Sequence, residues 1–194
     1  MRYKILILGS TGQLGSKLLK YISSQNLSVD TATCYTQSKK LIHQKNKYKI
    51  KNIFSLSNDT DYKNFLSHLH KKKFKLIYFL DYGASSLRFF DIINRNNKNS
   101  LFAIANKEMI IAGGSLLINK IQKKQNKIIP LDSEHFSLFR IMPKNQEIKK
   151  IFITASGGPF YFKKNINLSN VSMKQVLSHP KWKMGINNTI DSSN

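Results

Sequence analysis

The feature that most constrains this chain is the apolar run from Tyr3 to Leu8, followed at once by Gly9-Ser10-Thr11-Gly12-Gln13-Leu14-Gly15. Apolar residues then recur at Leu14, Leu18, Leu19 and Ile22, the spacing of one helix face. The segment therefore reads as strand, glycine turn, helix. Its G-x-x-G-x-x-G spacing differs from the standard dinucleotide fingerprint, but the context is the one that chemistry needs. Glycines let the backbone approach a pyrophosphate and present amide N–H groups at a helix N-terminus. A glycine turn of purely structural purpose is the competing reading.

The rest of the chain repeats the alternation. Strands are expected at Leu27 to Tyr35, Tyr48 to Phe54, Phe74 to Leu80, Ser100 to Ala105 and Lys127 to Leu131. An amphipathic helix is expected from Asp59 to Lys73, and further helices from about Gly114 to Gln125 and near Met173 to Ser178. Ile151 to Ala155 repeats the strand-then-glycine theme before Ser156-Gly157-Gly158-Pro159. Strands alternating with helices imply an α/β fold, a Rossmann-like, mostly parallel sheet with helices on both faces. The 194 residues suffice for one domain or two small ones, and 41% hydrophobic residues can build a core.

Charge is the feature most easily misread. Lys and Arg number 32 against 10 acids, a formal net charge of +22. Only four of the 32 are Arg (Arg2, Arg88, Arg95, Arg140), and 19 Asn and 23 Ile accompany the lysines. Lys, Asn and Ile are what AT-rich codons supply, and the excess is spread along the chain, so no specific nucleic-acid partner is expected. The single Cys34 excludes an internal disulfide framework and suggests a reducing, cytoplasmic setting. No apolar run reaches the roughly 18 residues of a spanning helix, so no membrane partner is expected.

Several segments carry chemistry. An NAD site usually offers an acid at the end of the second strand, yet Thr33 to Lys40 contains hydroxyls and lysines and no acid, which favours NADP. Asp132-Ser133-Glu134-His135 is the densest group of potential ligands in an acid-poor chain, and its hard oxygens suit Mg²⁺ or Mn²⁺. A helix start with acids in its first turn explains the same residues. Asn106-Lys107-Glu108 ends a strand and would place an ammonium in the same cleft, with a surface turn as the alternative. Ser156-Gly157-Gly158 suits a phosphate, or is an ordinary loop. His179-Pro180-Lys181-Trp182-Lys183-Met184-Gly185 holds the only Trp, either buried or on a mobile lid.

Taken in order, ILGSTGQLG, AIANKE, PLDSEHFSLFR, TASGGPF and HPKWKMG followed by Ile190-Asp191-Ser192 resemble the 1-deoxy-D-xylulose 5-phosphate reductoisomerase family. The resemblance implies NADPH and a divalent metal, and rearrangement with reduction of a sugar phosphate to 2-C-methyl-D-erythritol 4-phosphate in isoprenoid synthesis. It implies cofactor contacts from Gly9, Ser10, Thr11, Gly12, Gln13, Leu14, Asn106 and Glu108, and metal ligation by Asp132 and Glu134. Lys107 and Glu134 would serve catalysis and, with Ser133, touch the substrate. Ser156 and Ser192 would hold its phosphate, and His179, Trp182 and Met184 would belong to a closing flap. The expected division is a cofactor domain over 1–131 and the first part of an α/β catalytic domain over 132–194, with a homodimer for the full-length family.

Departures accompany the likeness. Tyr35-Thr36-Gln37 stands where the family usually has Gly-Lys-Asn, leaving any 2′-phosphate contact to Thr36, Ser38 or a nearby lysine. Gly83-Ala84-Ser85-Ser86-Leu87 replaces Gly-Ala-Ala-Gly-Leu, and Lys181 and Lys183 replace Asn and Ser. Family members are about twice as long and supply a third metal carboxylate beyond this stretch. A non-catalytic dinucleotide-binding module is the rival reading.

Overall fold

A computed structural model describes residues 4–142, 147–152, 157–163, 166–181 and 186–193. Two compact units are present, Met1–Pro143 and Lys144–Asn194.

The first unit is built on six strands: β1 (Ile5–Leu8), β2 (Thr31–Cys34), β3 (Asn52–Ser55), β4 (Leu76–Phe79), β5 (Leu101–Ile104) and β6 (Lys127–Pro130). They form one sheet in the order β3-β2-β1-β4-β5-β6, and every pairing is parallel. The helices are α1 (Gln13–Ser24), α2 (Ser38–Tyr48), α3 (Asp59–Lys71), α4 (Leu87–Asn96), α5 (Lys107–Lys123) and α6 (Ser133–Ile141).

The apolar character of β1 explains its central position. All four of its residues are buried, Leu6 and Leu8 in one cluster with Phe65, Phe79, Phe89 and Phe102, and Ile5 and Ile7 in another with Leu19, Ile22, Val29 and Leu41. A strand covered on both faces needs apolar residues at every position rather than at alternate ones. Each fully buried Leu or Ile contributes roughly 1.5–3 kcal/mol relative to exposure.

Several boundaries differ from the sequence reading: Tyr48, expected in the third strand, closes α2, and that strand begins at Asn52. The helix expected from about Gly114 begins at Lys107, because the Asn106 side chain accepts the Met109 N–H at 2.9 Å and caps it there. Gly114 instead interrupts that helix with φ 48° and ψ −144°. Ile151 and Phe152 lie in no strand, and the remainder of that expected element falls outside the described residues.

In the second unit, α7 (Met173–Val176) starts at a reciprocal cap. The Ser172 N–H donates to Gln175 Oε1 at 2.8 Å, while the Gln175 N–H donates to Ser172 Oγ at 3.4 Å. The last helix, α8, spans Ile186–Asp191.

Candidate functional site

β1 and β4 are neighbours, yet the chain leaves β1 for β2 and reaches β4 from β3, so the connections diverge on either side. A crevice at the carboxyl ends of the strands is the result, and in open α/β sheets ligands bind there. A cavity of about 770 Å³ occupies it, walled by Gly9, Tyr35, Ser57, Asp81, Tyr82 and Arg88 among others.

The three glycines of the first turn have different reasons to be glycine. Gly9 has φ +82°, and a Cβ there would stand 2.6 Å from the backbone nitrogen of Asp81. A Cβ on Gly15 would come within 2.5 Å of the Gly9 carbonyl oxygen, so α1 could not seat against β1. Gly12 is sterically open: nothing lies nearer than 3.5 Å to its Cβ position, and its φ of −63° suits any residue. The structural explanation thus covers Gly9 and Gly15 but not Gly12. Gly12 is also the N-cap of α1, with no capping side chain and no acid in the first turn, so the helix presents N–H groups and positive potential at Gln13 and Leu14.

Residues that sequence reasoning missed hold this turn. Gln44, buried on α2, accepts the Ser10 hydroxyl at 2.9 Å and donates to the Ser10 carbonyl at 3.0 Å and to Ser16 Oγ at 3.3 Å. Its only sequence signal is its place three residues after Leu41, on the inward face of α2. The Lys40 ammonium donates to the Thr11 carbonyl from the same helix. Ser10 and Thr11 are buried, whereas Gln13 and Leu14 are exposed toward solvent.

The loop after β4 forms the opposite wall. The Ser86 hydroxyl donates to Asp81, and Asn106 donates to the Gly83 carbonyl at 2.8 Å and to Asp81 Oδ1 at 3.5 Å. Burial pushes the Asp81 carboxyl above its ordinary value despite these donors, and the Glu108 charge adds to the rise. Asn106 therefore ties β5 to the β4 loop. Cys34 also lines the cleft, where burial raises its thiol and makes it an inert wall.

The acidic segment lies beyond β6, on the same carboxyl edge. Asp132 precedes α6 and accepts from His135 Nδ1 at 2.7 Å, and the Ser133 hydroxyl donates to Glu134 at 2.7 Å. That hydroxyl, with the Glu134 N–H, holds the Glu134 carboxyl below its ordinary value, and the Lys107 ammonium acts in the same direction. The structure thus brings Lys107, Asp132, Ser133 and Glu134 together. The oxygens of Asp132, Ser133 and Glu134 are a fitting donor set for a hard cation. Among the described residues, however, no group of three or more Asp, Glu, His or Cys side chains converges as a metal site.

His179 and Ser192 belong to the second unit, where the Lys181 N–H donates to His179 Nδ1 at 3.2 Å and the Ser192 hydroxyl to the Thr189 carbonyl at 3.4 Å. Ser156, Trp182 and Met184 lie outside the described residues. No helix among the described residues is long and apolar enough to cross a membrane.

With this geometry in place, the comparisons are specific. A family model for the 1-deoxy-D-xylulose 5-phosphate reductoisomerase C-terminal domain matches residues 128–194. The 1-deoxy-D-xylulose 5-phosphate reductoisomerase of Pelagibacter ubique (strain HTCC1062) is 36% identical, over 98% of this chain and 54% of its own length. That of Malacoplasma penetrans (strain HF-2) is 32% identical over 98% and 51%. The chain spans about half the length of the curated relatives it matches. Among solved structures, the Zymomonas mobilis enzyme in complex with NADPH shares the fold at TM-score 0.80 and 23% identity, covering 100% of this chain and 54% of that one. A reductoisomerase complex with NADPH, fosmidomycin and magnesium matches at TM-score 0.82 and 25% identity, over 98% and 54%.

Proposed function

The chain belongs to the 1-deoxy-D-xylulose 5-phosphate reductoisomerase family, and from that premise we propose that it binds NADPH and a divalent cation. The reaction it serves is the rearrangement and reduction of 1-deoxy-D-xylulose 5-phosphate to 2-C-methyl-D-erythritol 4-phosphate. The observation that carries the reading is the sterically open Gly12 at an uncapped helix start, on the same sheet edge as Lys107 and Glu134.

In this proposal residues 1–131 hold the cofactor and 132–194 contribute to the catalytic domain. The Gly12 turn and the first amides of α1 receive the pyrophosphate, with Ser10 and Thr11 shaping the turn from within. Asn106 and Glu108 border the nicotinamide side through the Gly83 and Asp81 loop. Asp132 and Glu134 hold the cation, which would require Asp132 to exchange its His135 partner. Bound NADPH supplies a hydride, and the cation supplies positive charge beside the ketone and hydroxyl oxygens of the substrate. Lys107 donates a hydrogen bond to a substrate oxygen, and the Ser133 hydroxyl turns from Glu134 toward the substrate. Ser156 and Ser192 take the phosphate, while the His179, Trp182 and Met184 segment excludes water. A homodimer belongs to the same proposal.

The absence of a third converging ligand among the described residues favours, as a second reading, a dinucleotide-binding module without turnover. NADPH oxidation with 1-deoxy-D-xylulose 5-phosphate and Mn²⁺ separates the two. Turnover supports the enzyme. Cofactor binding without turnover supports the module, and no cofactor binding overturns both.

A further inference from the structure

We propose that Arg88 is the specificity-determining residue for the adenosine ribose, its guanidinium receiving the 2′-phosphate that distinguishes NADPH from NADH. This rests on the cofactor reading above and concerns the end of the cleft remote from the glycine turn.

The acid-free segment after β2 leaves the ribose without a hydroxyl acceptor of the usual kind, but Lys40, Thr36 and Ser38 are poorly disposed to replace one. Lys40 is turned back onto the Thr11 carbonyl at the glycine turn. Thr36 and Ser38 open onto a separate cavity of about 630 Å³ that Asp61 also lines. The Asp61 carboxylate accepts the Ser55 N–H at 2.9 Å and would face a phosphate dianion there at close quarters.

The main cleft also carries acids, Asp59 and Asp81, but sets a guanidinium beside them. Tyr35 follows β2, Leu56 and Ser57 follow β3, and these residues share the cavity with Gly9, so a dinucleotide with its pyrophosphate at Gly12 extends its adenosine along them. Arg88 is the one cation among the described residues that line this cavity. It stands in the first turn of α4, is exposed, and its helix neighbour Asp91 is engaged by Lys120 at 2.7 Å. A planar guanidinium can bind phosphate through two parallel hydrogen bonds, which an ammonium cannot. The chain has four arginines among 32 cations, and of the described ones Arg88 lines this cleft. Asp59 lines the same cavity and suits the adjacent 3′-hydroxyl as an acceptor. Were it to accept the 2′-hydroxyl instead, the cleft would prefer NADH.

The test is fluorescence titration of the wild-type chain, Arg88→Met, Arg88→Lys and Arg95→Met with NADPH and with NADH. Arg95→Met removes the same charge from the last turn of the same helix, away from the cleft lining. Arg88→Met is expected to weaken NADPH about ten- to hundred-fold and to change NADH by less than about threefold, with Arg88→Lys between and Arg95→Met like the wild type. An Arg88→Met chain that keeps the wild-type preference overturns the assignment. So does equal weakening of both nucleotides, which would make Arg88 a stacking surface for adenine. A wild-type chain that binds NADH as well as NADPH overturns it too, and one that binds neither overturns the cofactor reading along with it.

Discussion

A Cβ atom on Gly9 would stand 2.6 Å from the backbone nitrogen of Asp81, so the turn after β1 and the loop after β4 meet backbone to backbone. That contact closes the floor of the cleft, and it separates Gly9 and Gly15, which packing requires to be glycine, from Gly12, which packing leaves open.

Substitutions should divide along that line. Gly15→Ala must displace the Gly9 carbonyl and is expected to cost about 2 kcal/mol of stability. Gly12→Ala should cost less than about 1 kcal/mol, since only the cap preference changes, yet weaken NADPH at least about tenfold by filling the space for pyrophosphate. Urea unfolding and nucleotide titration on both variants check the split. Equal stability loss in the two would remove the distinction.

Gln44 should behave as a support of the turn. Gln44→Met keeps the volume but leaves the buried Ser10 carbonyl without the Gln44 amide and its hydroxyl with only the longer 3.3 Å bond to the Thr33 carbonyl, at an expected cost of about 1–3 kcal/mol. NADPH affinity should fall with it. A variant with unchanged stability would show that Ser10 finds other partners.

Asp81 sets a pH dependence with a definite sign. Its carboxyl titrates higher in the folded chain than in the unfolded one. Its contribution to stability is therefore fully present below the unfolded value, near the ordinary carboxylate range, and is lost as pH rises through the raised folded value. Asp81→Asn should gain stability relative to the wild type across that window. Unfolding free energies from pH 4 to 7 test this, and parallel curves for the two proteins would contradict it.

Mn²⁺ is expected to bind weakly through Asp132 and Glu134, with water completing its shell. Paramagnetic relaxation of water protons should register Mn²⁺ in the wild type and lose the effect in Asp132→Asn/Glu134→Gln. An unchanged signal would place the cation elsewhere.

The sheet was legible in the sequence because its cause is local. Ile5–Leu8 is buried throughout and Leu76–Phe79 at Ile77 and Phe79, so hydrophobic content marks both runs without reference to partners. The strand, glycine turn and helix around Gly9 to Gly15 and the helix start at Asp132 to Glu134 were legible as well, since each is written in a few consecutive residues. What only the tertiary structure decided is which distant residues share one cavity. Gln44 reaches Ser10 across 34 positions, Asn106 reaches Gly83 across 23, and Arg88 and Tyr35 line one cavity. These meetings follow from parallel strand order, which turns the carboxyl ends of β1 to β4 toward one crevice. Strand order is set by packing on both faces of the sheet, and no local run of residues records it.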